Sequence, residues 1–265
     1  MGKYREVNKE LIELVEQGKT GKEISRILHL DYSTVHTKLR KLNINLPNKH
    51  NELKFDNTVF DSIDTEEKAY WLGFLYADGN ISSYNNTVEL SLKGDDITHL
   101  RKYNNFLKNT KDVTLGVSKC KDKEFSRCRC SVTNKYFHQR LCNLGCVPKK
   151  SLILKFPDKN IFKKQHLIYD FIRGYIDGDG SISYRSTGSL VLQIIGTKEF
   201  LEEIISIFPE VFNKVLHKDK RNENTTYFIT CCSTKANYIL EILYKNATIY
   251  LDRKYNRLAV LSRNW

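Results

Sequence analysis

The sequence predicts an α+β protein in which a small all-helical domain, residues 1–46, precedes two copies of one helix-and-strand unit, residues 66–160 and 161–265. Three observations predict it. Apolar residues among the first 45 positions recur at helical spacing, with turn residues between the runs. An apolar helix of small residues that ends in Asp-Gly occurs twice, its second acid 101 residues after the first (179 − 78). Behind the first copy the chain switches to alternating apolar and polar residues, the period of a half-buried strand.

At 265 residues the chain is long enough for two or three domains, each with its own core. A formal net charge of +12, with 43 Lys and Arg against 31 Asp and Glu, creates a field that favours polyanions and makes nucleic acid the leading partner class. A membrane partner is not expected. There is no apolar run of spanning length, the start MGKYREVNKE is polar, and Glu6 stands where the myristoylation pattern needs Ser or Thr. The seven cysteines, Cys120, Cys128, Cys130, Cys142, Cys146, Cys231 and Cys232, form no CxxC pair and are odd in number. They are expected as reduced thiols in the cytoplasm, or on the nucleoid of a bacterial or phage-infected host. A zinc site on Cys120, Cys128 and Cys130 is disfavoured by its spacing and missing fourth ligand.

The N-terminal domain reads as three helices. Leu11, Ile12, Leu14 and Val15 share one face of the first, and Gly18 is available to stop it. Thr20 and Glu23 form a capping-box pair ahead of Ile24, Ile27 and Leu28. After a turn at 29–31, Asp31 or Ser33 can cap a third helix with the stripe Val35, Leu39 and Leu42. This is a helix-turn-helix pattern. Ser33, Thr34, Thr37 and Lys38 on the outer face of its third helix are the expected major-groove contacts. Residues 47–65, polar and without period, read as a linker.

Setting AYWLGFLYADGNIS beside DFIRGYIDGDGSIS aligns Gly73 with Gly174, Asp78 with Asp179 and Gly79 with Gly180. Gly73 with Ala77, and Gly174 with Gly178, lie four apart on a helix face nearly free of side chains. Two such helices can pack with their backbones almost touching, which brings the terminal carboxylates together. Each glycine after its acid is expected to be the left-handed residue that ends a helix. Paired carboxylates at two helix C-termini repel each other and the helix dipoles, and a divalent cation removes the conflict. Magnesium, with manganese as a substitute, suits carboxylate oxygens at a phosphodiester. Asp78 and Asp179, with Gly79 and Gly180 beside them, are the expected metal site.

WLGFLYADG at 71–79 and IRGYIDGDG at 172–180 resemble the LAGLIDADG motif, and the likeness extends over roughly 66–260. The resemblance implies a homing endonuclease in which two αββαββα repeats, related by a pseudo-twofold axis, form a DNA-binding saddle. It implies catalytic acids at Asp78 and Asp179. It also implies a catalytic basic residue near each, for which Lys150 and Lys254 are the candidates and Lys149 and Arg253 the neighbouring alternatives. Tyr76 departs from the motif, which has an acid there, whereas Asp177 keeps it; that position is expected to face away from the chemistry.

The strands can be read independently of the family. Val88, Leu90 and Leu92 alternate with Thr87, Glu89, Ser91 and Lys93, while Leu190, Leu192 and Ile194 oppose Ser189 and Gln193, with Val191 and Ile195 blurring the polar face. Arg127 and Arg129 share a face opposite Cys128, Cys130 and Val132, which makes those cysteines packing residues and aims the arginines at DNA. KCKDKEFSR at 119–127 and HKDKRNENTTY at 217–227 read as basic hairpin loops. Lys93, Lys119, Lys121, Lys123, Gln193, Lys218, Lys220 and Arg221 complete the expected DNA contacts.

The expected function is site-specific, metal-dependent cutting of double-stranded DNA by a monomer, at a long asymmetric target, by a protein encoded in a mobile intron or phage element. Two alternatives keep the scaffold without that chemistry: a DNA-binding transcriptional regulator and a maturase whose partner is intron RNA. The presence of both acids argues against the regulator.

Overall fold

The computed structural model of the chain describes residues 2–44, 46, 54–120, 123–212, 216–219 and 226–259. The chain divides into two compact units, Met1–Lys54 and Phe55–Trp265.

The first unit holds helices α1 (Gly2–Glu16), α2 (Gly21–Ile27) and α3 (Tyr32–Lys41). Gly18 adopts φ +73° at the end of α1, a left-handed stop that costs glycine little. The Thr20–Glu23 capping box forms in full, satisfying two amides that the start of α2 would otherwise leave open. Leu11, Ile24, Val35 and Leu39 are its buried centre. Ile27 departs from its expected place and is 50% exposed. The buried stripe of α2 runs through Gly21 and Ile24 toward Leu28, and Ile27 falls beside it. Asp31 occupies the N-cap of α3 with extended backbone but no side-chain hydrogen bond.

The linker expected over 47–65 is shorter than the sequence suggested. Residues 47–53 lie outside the described ones, whereas Val59, Phe60 and Ile63 are buried in the core of the second unit. Phe60 packs on Phe106 and Phe137, and Ile63 bridges Phe162 in parallel. Three anchors on irregular backbone leave no period for a sequence to display.

The second unit repeats one order of elements. Its first half runs α4 (Glu66–Asp78), β1 (Gly79–Ile81), β2 (Thr87–Lys93), α5 (Ile97–Phe106), β3 (Thr114–Cys120), β4 (Lys123–Thr133) and α6 (Lys135–Asn143). Its second half runs α7 (Leu167–Asp179), β5 (Gly180–Tyr184), β6 (Leu190–Gly196), α8 (Lys198–Ile207), the short α9 (Pro209–Phe212), β7 (His217–Lys218), β8 (Tyr227–Cys232), α10 (Ser233–Tyr244) and α11 (Asp252–Ala259). Each half is thus αββαββα, with α9 and α11 added to the second. The strands form two antiparallel sheets of equivalent order, β1-β2-β4-β3 and β5-β6-β8-β7.

One face of each sheet is core. Val88, Leu90, Leu92, Cys128, Cys130 and Val132 are buried in the first, and Leu190, Leu192, Ile194, Ile229 and Cys231 in the second. The cysteines are packing residues, as the alternation required, and among the described residues no group of three His, Cys, Asp or Glu is placed to hold a metal. No helix among the described residues is long and apolar enough to cross a membrane.

Candidate active site

The centre of the second unit is the contact between α4 and α7. Residues Ala69 to Ala77 of α4 are all buried, as a helix that is apolar on every side must be. A Cβ placed on Gly73 would lie 1.9 Å from the carbonyl oxygen of Phe171, and one on Gly174 would lie 2.0 Å from that of Tyr70. Gly73 and Gly174, like Tyr70 and Phe171, are separated by the repeat interval of 101 residues, so the contact is reciprocal about a pseudo-twofold axis. A Cβ on Gly178 would come within 2.3 Å of Ala77 Cβ. All four expected packing residues therefore lie in the seam.

The same close approach brings the acids together. Asp78 Oδ2 is 3.4 Å from the Cβ position of Gly178, the residue before Asp179. Both carboxyls stand at helix C-termini, where the backbone already presents partial negative charge. Burial raises the pKa of Asp78 against the pull of Lys254 and Lys150. Asp179 opens to solvent on one side but is crowded by protein on the others; that loss of water, followed by the nearness of Asp78, pushes its pKa up to about 6. Lys150 and Lys254 offset part of this penalty at both carboxyls, and protonation relieves the rest.

Gly79 and Gly180 are not left-handed, contrary to expectation. They have φ −67° and −84° with extended ψ, and each helix runs straight into its strand. Glycine serves here by its size. A Cβ at Gly79 would stand 2.5 Å from Leu75 O, and one at Gly180 the same distance from Ile176 O.

Lysines complete the site. Lys254, 5% exposed, donates from Nζ to the carbonyls of Ile176 (2.7 Å), Gly178 (3.1 Å) and Gly180 (2.6 Å). Burial, with Arg253 nearby, lowers its pKa to about 8 although Asp177 and both acids pull the other way. Lys150 Nζ donates to the carbonyl of Gly79. Arg253 instead pairs with Asp96 at 3.0 Å, and Lys149 is exposed in left-handed backbone. Of each basic pair, Lys150 and Lys254 are the members brought to the acids.

Position 76/177 proves structural on both sides of the axis. Asp177 is fully buried and accepts hydrogen bonds from Tyr70 Oη (2.8 Å), Tyr244 Oη (2.7 Å) and the amide of Leu251 (2.7 Å). Its counterpart Tyr76 donates to Leu144 O, in a space that Gly145 leaves open. Each side chain anchors the segment that carries its own repeat's lysine. Arg173, missed by the motif comparison, reinforces the second anchor. It is 2% exposed, pairs with Glu66 and Asp170 at 2.7 Å each, and donates to the carbonyls of Leu243 and Ile249. A lone basic residue inside a motif helix was the available signal.

The other expected contacts disperse. Lys93, Arg127 and Arg129 are exposed on the outward face of the first sheet, with Lys93 opposite Arg127 and Arg129 Nε 3.4 Å from Glu89. Gln193 is half-buried on the outward face of the second. The first basic hairpin segment is largely strand rather than loop, with Lys119 paired to Glu124 and Cys120 to Lys123; of the second, His217 and Lys218 are strand, with Lys218 opposite Tyr227. That register puts Lys218 on the opposite face from Gln193 and puts His217 on the same face, a residue that charge alone did not suggest. Lys121, Lys220 and Arg221 lie outside the described residues. On α3, Ser33 and Thr37 are exposed, and Thr34 and Lys38 are half-buried.

No protein-family model and no curated protein matches the sequence. Solved structures do. The homing endonuclease I-WcaI bound to its DNA recognition sequence aligns with a TM-score of 0.54 at 12% identity, covering 81% of this chain and 96% of that one. The I-LtrWI LAGLIDADG homing endonuclease bound to target DNA aligns at 0.45 and 15% identity over 74% and 90%. The LAGLIDADG homing endonuclease I-GzeII in complex with its DNA target aligns at 0.44 and 14% over 71% and 86%. The chain shares the fold of the homing endonuclease I-WcaI.

Proposed function

We propose that the chain is a site-specific endonuclease that hydrolyses one phosphodiester on each strand of double-stranded DNA with the help of divalent cations. The observation that carries this reading is the juxtaposition of Asp78 with the end of the neighbouring helix, 3.4 Å from the Cβ position of Gly178 and one residue from Asp179. Stability alone would disfavour two carboxyls there.

The residues fit a hard cation. The donors are carboxylate and carbonyl oxygens, the donor set that magnesium or manganese prefers. The Gly180 carbonyl already accepts a cation, the ammonium of Lys254, and that of Gly79 accepts Lys150. Asp78 and Asp179, with these carbonyls, would hold the metal. Bound there, it would supply a water of lowered pKa and charge stabilisation at the phosphate. Lys150 and Lys254 would offset negative charge growing on the phosphoryl oxygens. Two acids and two lysines in one polypeptide let a monomer address both strands.

Lys93, Arg127 and Arg129 present positive charge on one sheet face, suited to phosphate and guanine. The helical unit with Ser33, Thr34, Thr37 and Lys38 would act as a tethered second grip that raises local concentration on a long asymmetric target. An origin in a mobile intron or phage element accords with such a target.

The test is to incubate the protein, and an Asp78→Asn, Asp179→Asn double variant, with a plasmid library of randomised inserts, with magnesium or with chelator. The expected result is linear product at a recurring insert sequence, requiring metal and absent for the variant. Tight binding of selected duplexes without any nick would establish the regulator instead, and selective binding of structured RNA alone would establish the maturase.

A further inference from the structure

The two sheets present different chemistry on equivalent positions of their outward faces. Gly79 opposes Leu90 and Gly180 opposes Ile194, which fixes the correspondence between the repeats. Thr87, Glu89 and Ser91 of β2 then correspond to Val191, Gln193 and Ile195 of β6. Through the next register, Arg129, Ser131 and Thr133 of β4 correspond to Phe228, Thr230 and Cys232 of β8. A carboxylate has become an amide, a guanidinium a phenyl ring, and two hydroxyls branched aliphatics. Among the described residues the strands of the second sheet carry no Lys, Arg, Asp or Glu on this face, in a chain of net charge +12; Arg185 and Asp219 follow just beyond the ends of β5 and β7.

Nothing in the protein core accounts for these apolar groups. The core lies on the other face, where Leu190, Leu192, Ile194, Ile229 and Cys231 pack against helices α8 and α10. Val191, Ile195 and Phe228 remain half-buried on the outward side, with the His217 ring stacked on Phe228 at 5.1 Å.

We infer that the second sheet reads an A·T-rich half-site in the DNA major groove, with Val191, Ile195 and Phe228 against thymine methyl groups and Gln193 on adenine; this rests on the endonuclease reading above. The chemistry is selective. In the major groove the thymine C5-methyl is the one apolar feature, and the glutamine amide matches adenine N6 and N7. Guanine is read by Arg or Lys and cytosine N4 by a carboxylate. This face has neither, while the first sheet has Lys93, Arg127, Arg129 and Glu89. The span also fits. From Val191 to Ile195 the strand advances about 13 Å, or about four base-pair steps.

The experiment selects binding sequences from a randomised duplex library with the full chain, then replaces thymine by deoxyuridine, which lacks only the C5-methyl, in one half of the selected site at a time. A Gln193→Glu variant, whose preference moves from adenine toward cytosine, identifies the half that the second sheet contacts. In that half each contacted thymine should lose about fourfold in affinity on removal of its methyl, while the other half should be unaffected. Enrichment of a sequence that binds equally well with deoxyuridine in that half overturns the inference and leaves the endonuclease reading standing. A chain that enriches no sequence overturns both.

Discussion

The hydroxyl of Tyr70, in the first motif helix, donates a 2.8 Å hydrogen bond to the buried carboxylate of Asp177 in the second, so one acid is held across the pseudo-twofold axis. Asp177 also takes bonds from Tyr244 Oη and the Leu251 amide, and Leu251 lies three residues before Lys254. Removing the carboxylate would strand the buried Tyr244 hydroxyl and Leu251 amide, each costing about 1–3 kcal/mol, while Tyr70 Oη keeps His99 Nε2 at 3.0 Å. Asp177→Ala is therefore expected to lose several kcal/mol in urea denaturation, and Tyr70→Phe about 1–3 kcal/mol. An Asp177→Ala protein with an unchanged urea midpoint would show that this anchor holds nothing.

The glycine seam predicts a sharper contrast. At Gly73 or Gly174 an added methyl meets main-chain oxygen across the axis, and a backbone contact cannot give as a flexible side chain can. Gly73→Ala is expected to cost more than about 3 kcal/mol, at or beyond the upper end of ordinary overpacking. At Gly116, in β3, an added Cβ meets nothing within 4 Å, and Gly116→Ala should be neutral or stabilising by about 0.5 kcal/mol. Similar melting curves for the two variants would refute the close approach.

Much of this architecture was legible in the sequence because it is periodic or repeated. The spacing of Gly73 and Ala77, the alternation through Val88 to Lys93, and the Thr20–Glu23 cap each follow from one local rule. What escaped was non-local. Val59, Phe60 and Ile63 looked like linker because their partners, among them Phe106, Phe137 and Phe162, are distant in sequence. Asp177 looked like a spare motif acid because Tyr244 and Leu251, which bind it, lie some 70 residues on. Gly79 and Gly180 suggested a left-handed turn, since a sequence cannot distinguish a glycine kept for its φ from one kept for its lack of a Cβ. The apolar Val191 and Ile195 seemed to blur a strand; the register shows them sharing a face with Phe228.

Lys254 should trade stability for chemistry. Burial disfavours its ammonium, and its folded pKa of about 8 lies below the ordinary lysine value. Between about pH 8 and the ordinary lysine pKa near 10.4, the unfolded chain binds the proton that the folded chain has shed, so this group makes stability rise with pH across that window. Below pH 8 its contribution is unfavourable. Lys254→Met, similar in length and uncharged, gives up the bonds to the carbonyls of Ile176, Gly178 and Gly180 and is expected to lose DNA cutting, with a melting deficit that is smaller at pH 7 than at about pH 10. The readouts are thermal denaturation at two pH values and the plasmid assay; full cutting by the variant would remove Lys254 from the chemistry.

The acids make the opposite pH signature. The folded pKa of Asp179, about 6, lies above the ordinary value near 4, so the folded chain holds a proton that the unfolded chain has released. Its unfavourable contribution is absent below about pH 4, grows as pH rises to 6, and is complete above that. Asparagine mimics the protonated form, so Asp179→Asn is expected to raise the melting temperature at pH 7.5 and to match wild type near pH 4. A ligand that binds only the folded state stabilises by mass action. Magnesium should therefore raise the wild-type melting temperature at pH 7.5, with little effect on the Asp78→Asn, Asp179→Asn double variant or on either protein near pH 4, where protons compete for the same oxygens. Equal magnesium shifts in wild type and double variant would place the cation elsewhere and separate the paired acids from the metal chemistry assigned to them.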